Sequence, residues 1–290
     1  MQINDLIEER ISRIQVIPEI AHRLIAVINN PNSGEKDISK IIEIDPVLTA
    51  SVLKAANSVF YSTIGGVDTL SLAIKRLGIR QIFKIAMSST MRSFLDKPAE
   101  GYNLSARELW LHSNAVAAVS GMICDAIGTG ECGFIFTSAL IHDIGKIVIG
   151  EFIRGKFSEI WKLSESKDIP FEEAEWEIIG FDHTQVGEKI AENWNFPQKV
   201  RAIIRWHHNP ENAPEPCRSI DIVHVADALC LQQGLGLGND GLRYVLNEDS
   251  ITRLGLSNKY LEELMCKAMQ FLTDFEQMYG NVYGNSRVER

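Results

Sequence analysis

The stretch Ala139-Leu-Ile-His-Asp-Ile-Gly-Lys-Ile-Val148 sets a histidine, an aspartate and a lysine into a segment that is otherwise apolar. Burying His142 and Asp143 is costly unless each of them finds a partner. Adjacent residues of a helix do not share a face, but one metal or two adjacent metals over the segment can bind both. Gly145 leaves room for a close backbone approach. The stretch therefore predicts a buried helical segment that contributes to a metal site.

Helical periodicity dominates on both sides of this stretch, and strand-like alternation is nearly absent. Asp45-Pro46 has the pattern of an N-cap followed by a proline at the first helical position. A further helix should run from Asp68 or Thr69 to Gly78, where glycine suits a left-handed C-terminal cap. The next helix should begin at about Arg80. Short helices joined by short turns predict an all-α, multi-helix bundle.

The helical pattern breaks near Lys97-Pro-Ala-Glu-Gly101, and histidine, tryptophan and cysteine become more frequent after it. We therefore predict an N-terminal helical subdomain over residues 1–100 and a second helical subdomain with the metal site over 101–285. Residues 286–290 are expected to be a frayed tail. The glycine-rich stretch Gly234–Gly241 lacks the order of a dinucleotide-binding loop and is interpreted as a turn after a helix.

Composition excludes several classes of protein. The net charge of -9 argues against a nucleic-acid partner, because phosphate contacts need clustered Lys and Arg. Five cysteines without a CxxC pair favour neither disulfides nor a zinc ribbon. The amino terminus lacks the pattern of a signal peptide, and no run of about 18 uncharged apolar residues occurs. These features predict a cytoplasmic protein without a membrane span.

Histidines and acidic residues recur on successive apolar helical segments. Glu108 and His112, for example, lie four residues apart and share a helix face. The candidate metal ligands are Glu108, His112, His142, Asp143, His183, His207, His208 and Asp227. Each alone has an ordinary explanation as a core histidine, a helix cap or a solvated charge. Together they are the ligand types of iron, manganese or zinc, in a number that exceeds what one ion uses. His224 is interpreted as a core or orienting group, not as a ligand.

The chain resembles the HD superfamily of metal-dependent phosphohydrolases in His112, His142-Asp143 and Asp227. Four segments stand out in the amino-terminal part: Ile17-Pro-Glu-Ile20, Ile44-Asp-Pro-Val-Leu-Thr49, Leu53-Lys-Ala-Ala-Asn-Ser-Val-Phe-Tyr61 and Leu72-Ala-Ile-Lys-Arg-Leu-Gly78. In these segments the chain resembles one group within the superfamily, the HDOD family, the "HD-related output domain" of bacterial signalling. The resemblance covers roughly residues 13–230. It implies an HD-like bundle with an N-terminal helical layer.

The eight candidate ligands are also similar to the full ligand set of the HD-GYP phosphodiesterases, which cleave cyclic di-GMP at a two- or three-iron centre. Lys146 matches a phosphate-facing lysine there. This resemblance implies two or more divalent ions, with iron favoured over manganese or zinc. The chain departs from the HD-GYP pattern after His208, where Asn-Pro-Glu-Asn-Ala-Pro-Glu-Pro216 stands in place of a glutamate and a Gly-Tyr-Pro loop.

Three functions follow, in order of preference. The HDOD resemblance implies a non-catalytic signalling output protein whose amino-terminal layer contacts a protein partner. The alternative is a phosphohydrolase or cyclic dinucleotide phosphodiesterase that binds a nucleotide ligand. In it Asp143 would bridge two ions that activate a hydroxide, and Lys146 would offset charge on the phosphate, so these two residues are the candidate catalytic groups. The third is an oxygen- or redox-sensing di-iron protein.

Overall fold

A computed structural model describes residues 3–58, 66–236, 238, 240, 244 and 246–279. The described residues are helical with short connections, and they contain no strand beyond a single bridge between Ala99 and Leu104. The prediction of an all-α fold is confirmed. The end of the HDOD-like segment at Leu53–Tyr61 and the tail predicted at 286–290 lie outside the described residues.

One compact unit comprises Pro18–Arg92 and the described residues from Met269 onward. Its helices are α2 (Glu19–Ile28), α3 (Glu35–Glu43), α4 (Pro46–Ala56) and the first part of α5 (Leu70–Leu95). Helix α3 packs against both α2 and α4. The apolar faces of these helices form the core of the unit, with Ile38, Ile42 and Val52 fully buried.

Two predicted helix boundaries in this unit are confirmed. The Asp45 carboxylate accepts hydrogen bonds from the backbone N–H groups of Val47 and Leu48, so that it caps α4. Helix α5 begins at Leu70 and is interrupted at Gly78, whose φ of 78° lies in the region that favours glycine. The local signals of an N-cap and a glycine break therefore set these helix ends.

The second compact unit comprises the chain up to Ile17 together with Ser93–Ala268. The residues before Pro18 therefore group with the later part of the chain, and the predicted subdomain division at residue 100 stays a prediction. The helices of this unit are α1 (Ile3–Ser12), the end of α5, α6 (Glu108–Ile127), α7 (Cys132–Ile141), α8 (Gly145–Ile153), α9 (Phe157–Lys167), α10 (Phe171–Ile179), α11 (His183–Asn193), α12 (Gln198–Trp206), α13 (Arg218–Gln232), α14 (Glu248–Leu254) and the first part of α15 (Asn258–Tyr279).

Helix packing in the second unit gathers the segments that carry the candidate ligands. Helix α6 packs against α7 and α13, while α11 packs against α8 and α12. Gly145 permits the contact between α8 and α11, because a Cβ atom there would lie 1.9 Å from the carbonyl oxygen of His183. The close approach predicted for Gly145 is thereby confirmed. Every residue of α13 from Ser219 to Leu231 is buried, so this helix forms the centre of the unit.

The expectation that the cysteines form no disulfide is wrong at one pair. Cys124 near the end of α6 and Cys132 at the start of α7 are disulfide-bonded, with their Cα atoms 5.7 Å apart. Gly128 and Gly130 take positive φ values in the turn between the two helices. This turn brings together two cysteines whose spacing matches no framework pattern, so the pairing depends on how α7 packs against α6. Cys217, Cys230 and Cys266 are free.

One stretch of the described residues, Cys132–Ile153, is long and apolar enough to cross a membrane, with a mean hydropathy of 1.5. It comprises α7 and α8, and 83% of its most apolar window is buried inside the protein. A core helix passes the same test of length and composition, and burial against α6, α11 and α12 accounts for the apolar sequence.

Candidate metal centre

Seven of the eight predicted ligands lie in two groups, and all of them except the partly buried His208 are buried. The first ligand group contains Asp143, His183, His207 and His208, and the second ligand group contains His112, His142 and Asp227. Within each group, the candidate ligand atoms all lie within 4.8 Å of one another. Residues from α6, the α7–α8 junction, the start of α11, the end of α12 and the middle of α13 are thus brought together at one centre.

Asp143 faces both groups, one carboxylate oxygen to each. Its Oδ1 atom lies 3.5 Å from His183 Nε2 and 3.7 Å from His207 Nε2. Its Oδ2 atom lies 3.4 Å from His142 Nε2 and 3.7 Å from His112 Nε2. A carboxylate placed in this way suits a bridge between two neighbouring ions.

Asp227 connects the same two groups from α13. Its Oδ1 atom lies 3.0 Å from His112 Nε2 and 3.7 Å from His142 Nε2. Its Oδ2 atom lies 4.0 Å from His208 Nδ1. Both aspartates therefore stand between the histidines of the two groups, although they are far apart in the sequence.

Buried polar atoms without hydrogen-bond partners are concentrated at this centre. Among the described residues, such atoms here are His142 Nε2, Asp143 Oδ1, His207 Nε2, His208 Nδ1 and both oxygens of Asp227. Each unpaired buried group costs about 1–3 kcal/mol, and more when it is charged. Bound metal ions would satisfy all of these atoms at once, so the residues present fit a metal centre.

Four histidines are oriented with the Nε2 atom toward the centre. In each of them the Nδ1 atom has an acceptor on the other side: Leu235 O for His112 at 2.9 Å, Ala139 O for His142 at 2.8 Å, Ile204 O for His207 at 2.8 Å and Glu175 Oε2 for His183 at 2.9 Å. Because Nδ1 donates on the outer side, Nε2 is the nitrogen that faces the centre and can bind a metal ion in the neutral ring. These outer contacts therefore fix the ring orientation that metal binding requires.

His224 lies beside the centre and outside both groups. Its Nδ1 atom donates to the carbonyl oxygen of His207 at 2.8 Å, and its Nε2 atom accepts a hydrogen bond from the backbone N–H of Asn247 at 2.8 Å. Both ring nitrogens are engaged, which confirms the interpretation of His224 as an orienting group. It stabilises the backbone of His207 at the end of α12.

Glu108, predicted as the eighth ligand, does not join either group. Its carboxylate accepts hydrogen bonds from the backbone N–H of Ser105 at 2.5 Å and from the Ser105 hydroxyl at 2.7 Å. It therefore satisfies donors at the start of α6, where a negative charge is also favoured by the helix dipole. The spacing of Glu108 and His112 identified a shared face, but Glu108 binds Ser105 just before the helix, and only His112 contributes to the centre.

Glu175 was not predicted, yet it holds a ligand in place. It is fully buried, and its Oε2 atom accepts hydrogen bonds from both the backbone N–H and Nδ1 of His183, each at 2.9 Å. Its Oε1 atom accepts a hydrogen bond from the hydroxyl of Tyr102 at 2.7 Å. One signal in the sequence could have revealed it, because Glu175 lies four residues from both Phe171 and Ile179 on the apolar face of α10.

We expect Glu175→Gln to weaken metal binding by roughly 10- to 100-fold, the usual cost of removing a hydrogen-bond partner of a metal-bound histidine. The neutral amide can still accept both hydrogen bonds from His183 through its oxygen, but the charge that strengthens them is lost, and an NH2 group replaces the oxygen that accepts from Tyr102. Titration of Mn²⁺ or Zn²⁺ by calorimetry measures the change. Glu173→Gln, at an exposed position of the same helix, is the matched control and should bind metal like the wild type. Equal affinities for the two variants would contradict the role of Glu175.

Two histidines of the first ligand group are held neutral. Burial lowers the pKa of His207 to about 4. Burial, together with the neighbouring histidines, also lowers the pKa of His208 well below its ordinary value. Since only neutral imidazole binds a metal ion, these two side chains are ready to bind without losing a proton.

Two other histidines hold a proton when no metal is bound. Burial alone would lower the pKa of His142, but the carboxylates of Asp143 and Asp227 raise it to about 10. Burial opposes the charged form of His183 as well, but Glu175 raises its pKa to about 9. A metal ion must therefore displace protons from His142 and His183 at neutral pH.

Metal affinity should consequently fall as the pH falls. Both pKa values are raised, so the competing protons are bound throughout the range below about pH 9 and are removed as the pH rises through it. We expect the apparent dissociation constant to rise by up to about tenfold per pH unit for each displaced proton between about pH 8 and pH 6. Calorimetry in buffers of different ionisation enthalpy counts the released protons. Binding that releases no proton would show that this assignment of charge is wrong.

Lys146 lies beside the first ligand group and has two carboxylate partners. Its Nζ atom is 2.7 Å from Asp143 Oδ2 and 2.7 Å from Asp240 Oδ2. Asp240 was not predicted and belongs to the glycine-rich stretch after α13. Lys146 is thus at the centre, as its place in the sequence suggested, but its ammonium group is paired on both sides.

A cavity of about 160 Å³ opens beside His208. Its lining contains the carboxylates of Glu172 and Glu211, together with Asn209 and Tyr244, and has no lysine or arginine among the described residues. Burial raises the pKa of Glu172 to about 7. The approach to the centre from this side is therefore small and acidic.

Comparison with known proteins gives a family and a set of similar folds. The HDOD domain family matches residues 14–210. An uncharacterised protein of Treponema pallidum (strain Nichols) is 25% identical over 212 residues, which cover 70% of this chain and 40% of that protein. The chain therefore spans less than half the length of this curated relative.

Three solved structures share the fold. An HDOD domain protein of unknown function from Geobacter sulfurreducens has a TM-score of 0.77 at 23% identity, covering 94% of this chain and 97% of its own. A candidate signal transduction protein from Marinobacter aquaeolei VT8 has a TM-score of 0.74 at 23% identity, and the match covers 97% of this chain and 61% of that one. A candidate metal-dependent phosphohydrolase from Shewanella amazonensis SB2B has a TM-score of 0.57 at 20% identity, and the match covers 96% of this chain and 99% of that one.

Proposed function

The chain belongs to the HDOD family, and from that premise we propose that it is a signalling output protein whose HD-type metal centre is structural and non-catalytic. The observation that carries this proposal is the set of unpartnered buried atoms that converge from five helical segments. Ions bound there would join these segments through coordination bonds, which lowers the free energy of the folded state. The metal would then hold the helices of the unit in one arrangement.

The proposed coordination uses two ions. The first ligand group would hold one ion and the second ligand group the other, with Asp143 as the bridge between them. Imidazole and carboxylate ligands suit iron, with manganese and zinc as alternatives. Glu108 is left out of this assignment because its carboxylate accepts hydrogen bonds from Ser105.

Two features favour a structural role over catalysis. The ammonium group of Lys146 is paired with both Asp143 and Asp240, so it offers no free charge to a phosphate. The cavity beside His208 is small, and its described lining has no lysine or arginine that would attract an anionic substrate. A candidate signal transduction protein among the similar structures agrees with a regulatory output.

The signalling role implies a protein partner, which we propose to bind at the amino-terminal layer. Ile44 and Val47 flank the Asp45 cap there and are 60% and 75% exposed. Large apolar side chains at such exposure suit a contact with another protein. Replacing both by serine should leave the metal content unchanged and reduce the signalling output in cells.

We also propose that the protein acts in the cytoplasm, as the composition predicts. The Cys124–Cys132 disulfide must be reconciled with this location, because cytosolic thiols are normally kept reduced. Thiol labelling of protein extracted under acid quench measures the redox state of this pair in cells. A pair that is quantitatively oxidised would contradict a cytoplasmic location.

The alternative is a metal-dependent phosphohydrolase or cyclic dinucleotide phosphodiesterase. The observation that favours it is the position of Asp143, whose two oxygens face the two ligand groups. A pair of ions bound there would supply an activated hydroxide. A candidate metal-dependent phosphohydrolase shares the fold.

Metal analysis and turnover assays on one preparation separate the two functions. Protein purified without chelator should contain about two equivalents of metal, and should hydrolyse neither phosphomonoesters nor cyclic dinucleotides in a manner that depends on Asp143. Hydrolysis that is abolished in Asp143→Ala would overturn the non-catalytic proposal in favour of the alternative. Less than about a tenth of an equivalent of metal after reconstitution would remove the metal centre itself.

A further inference from the structure

The ammonium group of Lys146 lies where a cation would attract an oxyanion toward the centre. Lys146 is 3% exposed, and its Nζ atom contacts Oδ2 of Asp143, a member of the first ligand group. The ring of Tyr102 covers the ammonium group, with its centroid 5.4 Å from Nζ. A buried cation of this kind is costly unless it is well paired, and in the proposed metal centre Asp143 would be shared with the ions, so a second anion is needed.

Asp240 provides that second anion. Its Oδ2 atom lies 2.7 Å from Nζ of Lys146. Its Oδ1 atom is buried and has no hydrogen-bond partner among the described residues. Among the described residues, the Asp240 carboxylate is thus paired through Oδ2 and unpaired at Oδ1. It is therefore held less firmly than the carboxylate of Glu175, whose two oxygens both accept hydrogen bonds.

Two described glycines that precede Asp240 in the sequence, Gly236 and Gly238, make close contacts at the centre. A Cβ atom at Gly236, whose φ is +66°, would lie 2.4 Å from Cβ of His112. A Cβ atom at Gly238 would lie 2.7 Å from Oδ1 of Asp240 and 2.7 Å from the carbonyl oxygen of Tyr102. Glycine at positions 236 and 238 therefore permits close contacts that a side chain would prevent.

A carboxylate and a phosphate bind an ammonium group with the same charge-assisted geometry. Given the metal centre of the proposed function, we propose that Asp240 is an internal competitor for oxyanions, which occupies on Lys146 the place that an external phosphate-type ligand of the centre would take. Asp240 thereby sets the ligand specificity of the centre. With Asp240 in place, the centre binds oxyanions more weakly; when Asp240 is removed or displaced, Lys146 and the metal ions bind them together.

The test uses Asp240→Asn, which keeps the shape of the side chain and removes its charge. The full chain is loaded with Mn²⁺, its metal content is measured, and inorganic phosphate is titrated by calorimetry. We expect the variant to bind phosphate at least about tenfold more tightly than the wild type, the effect of one charge-assisted hydrogen bond. The double variant Asp240→Asn/Lys146→Gln should lose this gain. Asp249→Asn, at an exposed position of α14, is the matched control and should bind phosphate like the wild type.

Metal content separates failure of this inference from failure of the proposed function. If Asp240→Asn holds as much metal as the wild type and binds phosphate no more tightly, the inference is overturned. If neither protein takes up metal, the proposed function fails, and the same titration on the metal-free proteins tests Asp240 alone. In the metal-free state, too, Asp240→Asn must bind phosphate more tightly than the wild type, and the double variant with Lys146→Gln must lose this gain; otherwise the inference is overturned. Thermal melting of each variant verifies that it is folded.

Discussion

Asp143→Ala should lose at least one of the two bound ions and bind any remaining ion more than about 100-fold more weakly. Removing only an outer hydrogen-bond partner of a ligand already costs about 10- to 100-fold. Asp143 is itself placed as a ligand, and its two oxygens face His183 on one side and His142 on the other. Its loss therefore affects both ligand groups at once. Elemental analysis and metal titration on the folded variant measure the effect.

A second buried aspartate provides the control for this prediction. Asp221 lies on α13 near Asp227, but its carboxylate is bound by Arg253 and by the hydroxyl of Ser250. Asp221→Ala should lower the stability of the protein, because it leaves Arg253 without its partner, and it should still bind two ions. If Asp143→Ala also kept two ions with the affinity of the wild type, the assignment of Asp143 as the bridge would be wrong.

Gly145→Ala should destabilise the protein strongly. The added Cβ atom would lie 1.9 Å from the carbonyl oxygen of His183 and 2.7 Å from the backbone nitrogen of Gly187. Both atoms belong to the backbone of α11, so no side chain can move aside and α8 must separate from α11. We expect the free energy of unfolding to fall by about 3 kcal/mol, the upper end of the usual cost of overpacking. For a unit of this size the melting temperature would fall by roughly 6–12 °C.

The same substitution should also weaken metal binding. Helix α11 begins with the ligand His183 and α8 follows the ligand Asp143, so separating the two helices moves these ligands apart. Gly155→Ala is the matched control, since a Cβ atom at that exposed glycine meets nothing within 4 Å. Circular dichroism melts of both variants, with and without metal, give the comparison. If Gly145→Ala and Gly155→Ala melted within about 2 °C of each other, this would falsify the claim that close contact between α8 and α11 at Gly145 stabilises the protein.

The sequence determined the features that depend on neighbouring residues. Periodicity and caps predicted the all-α fold, the start of α4 after Asp45 and the break at Gly78, because a helix is closed by bonds and caps within a few residues. Polar residues within apolar helical stretches predicted seven residues that the fold gathers into the two ligand groups. Burial of a polar residue is costly without a partner, so each of these residues indicated that a partner lies next to it, although the sequence did not show which one.

Only the tertiary structure decided which of these residues meet and which groups surround them. Glu175 and Asp240 occupy positions whose significance depends on the packing of α10 on α11 and on the glycines after α13. Glu108 shares a face with His112, but the fold turns its carboxylate to Ser105, and the Cys124–Cys132 pair forms because α7 packs against α6. Contacts between residues far apart in the chain arise when apolar faces pack into one core, and no local pattern specifies that arrangement.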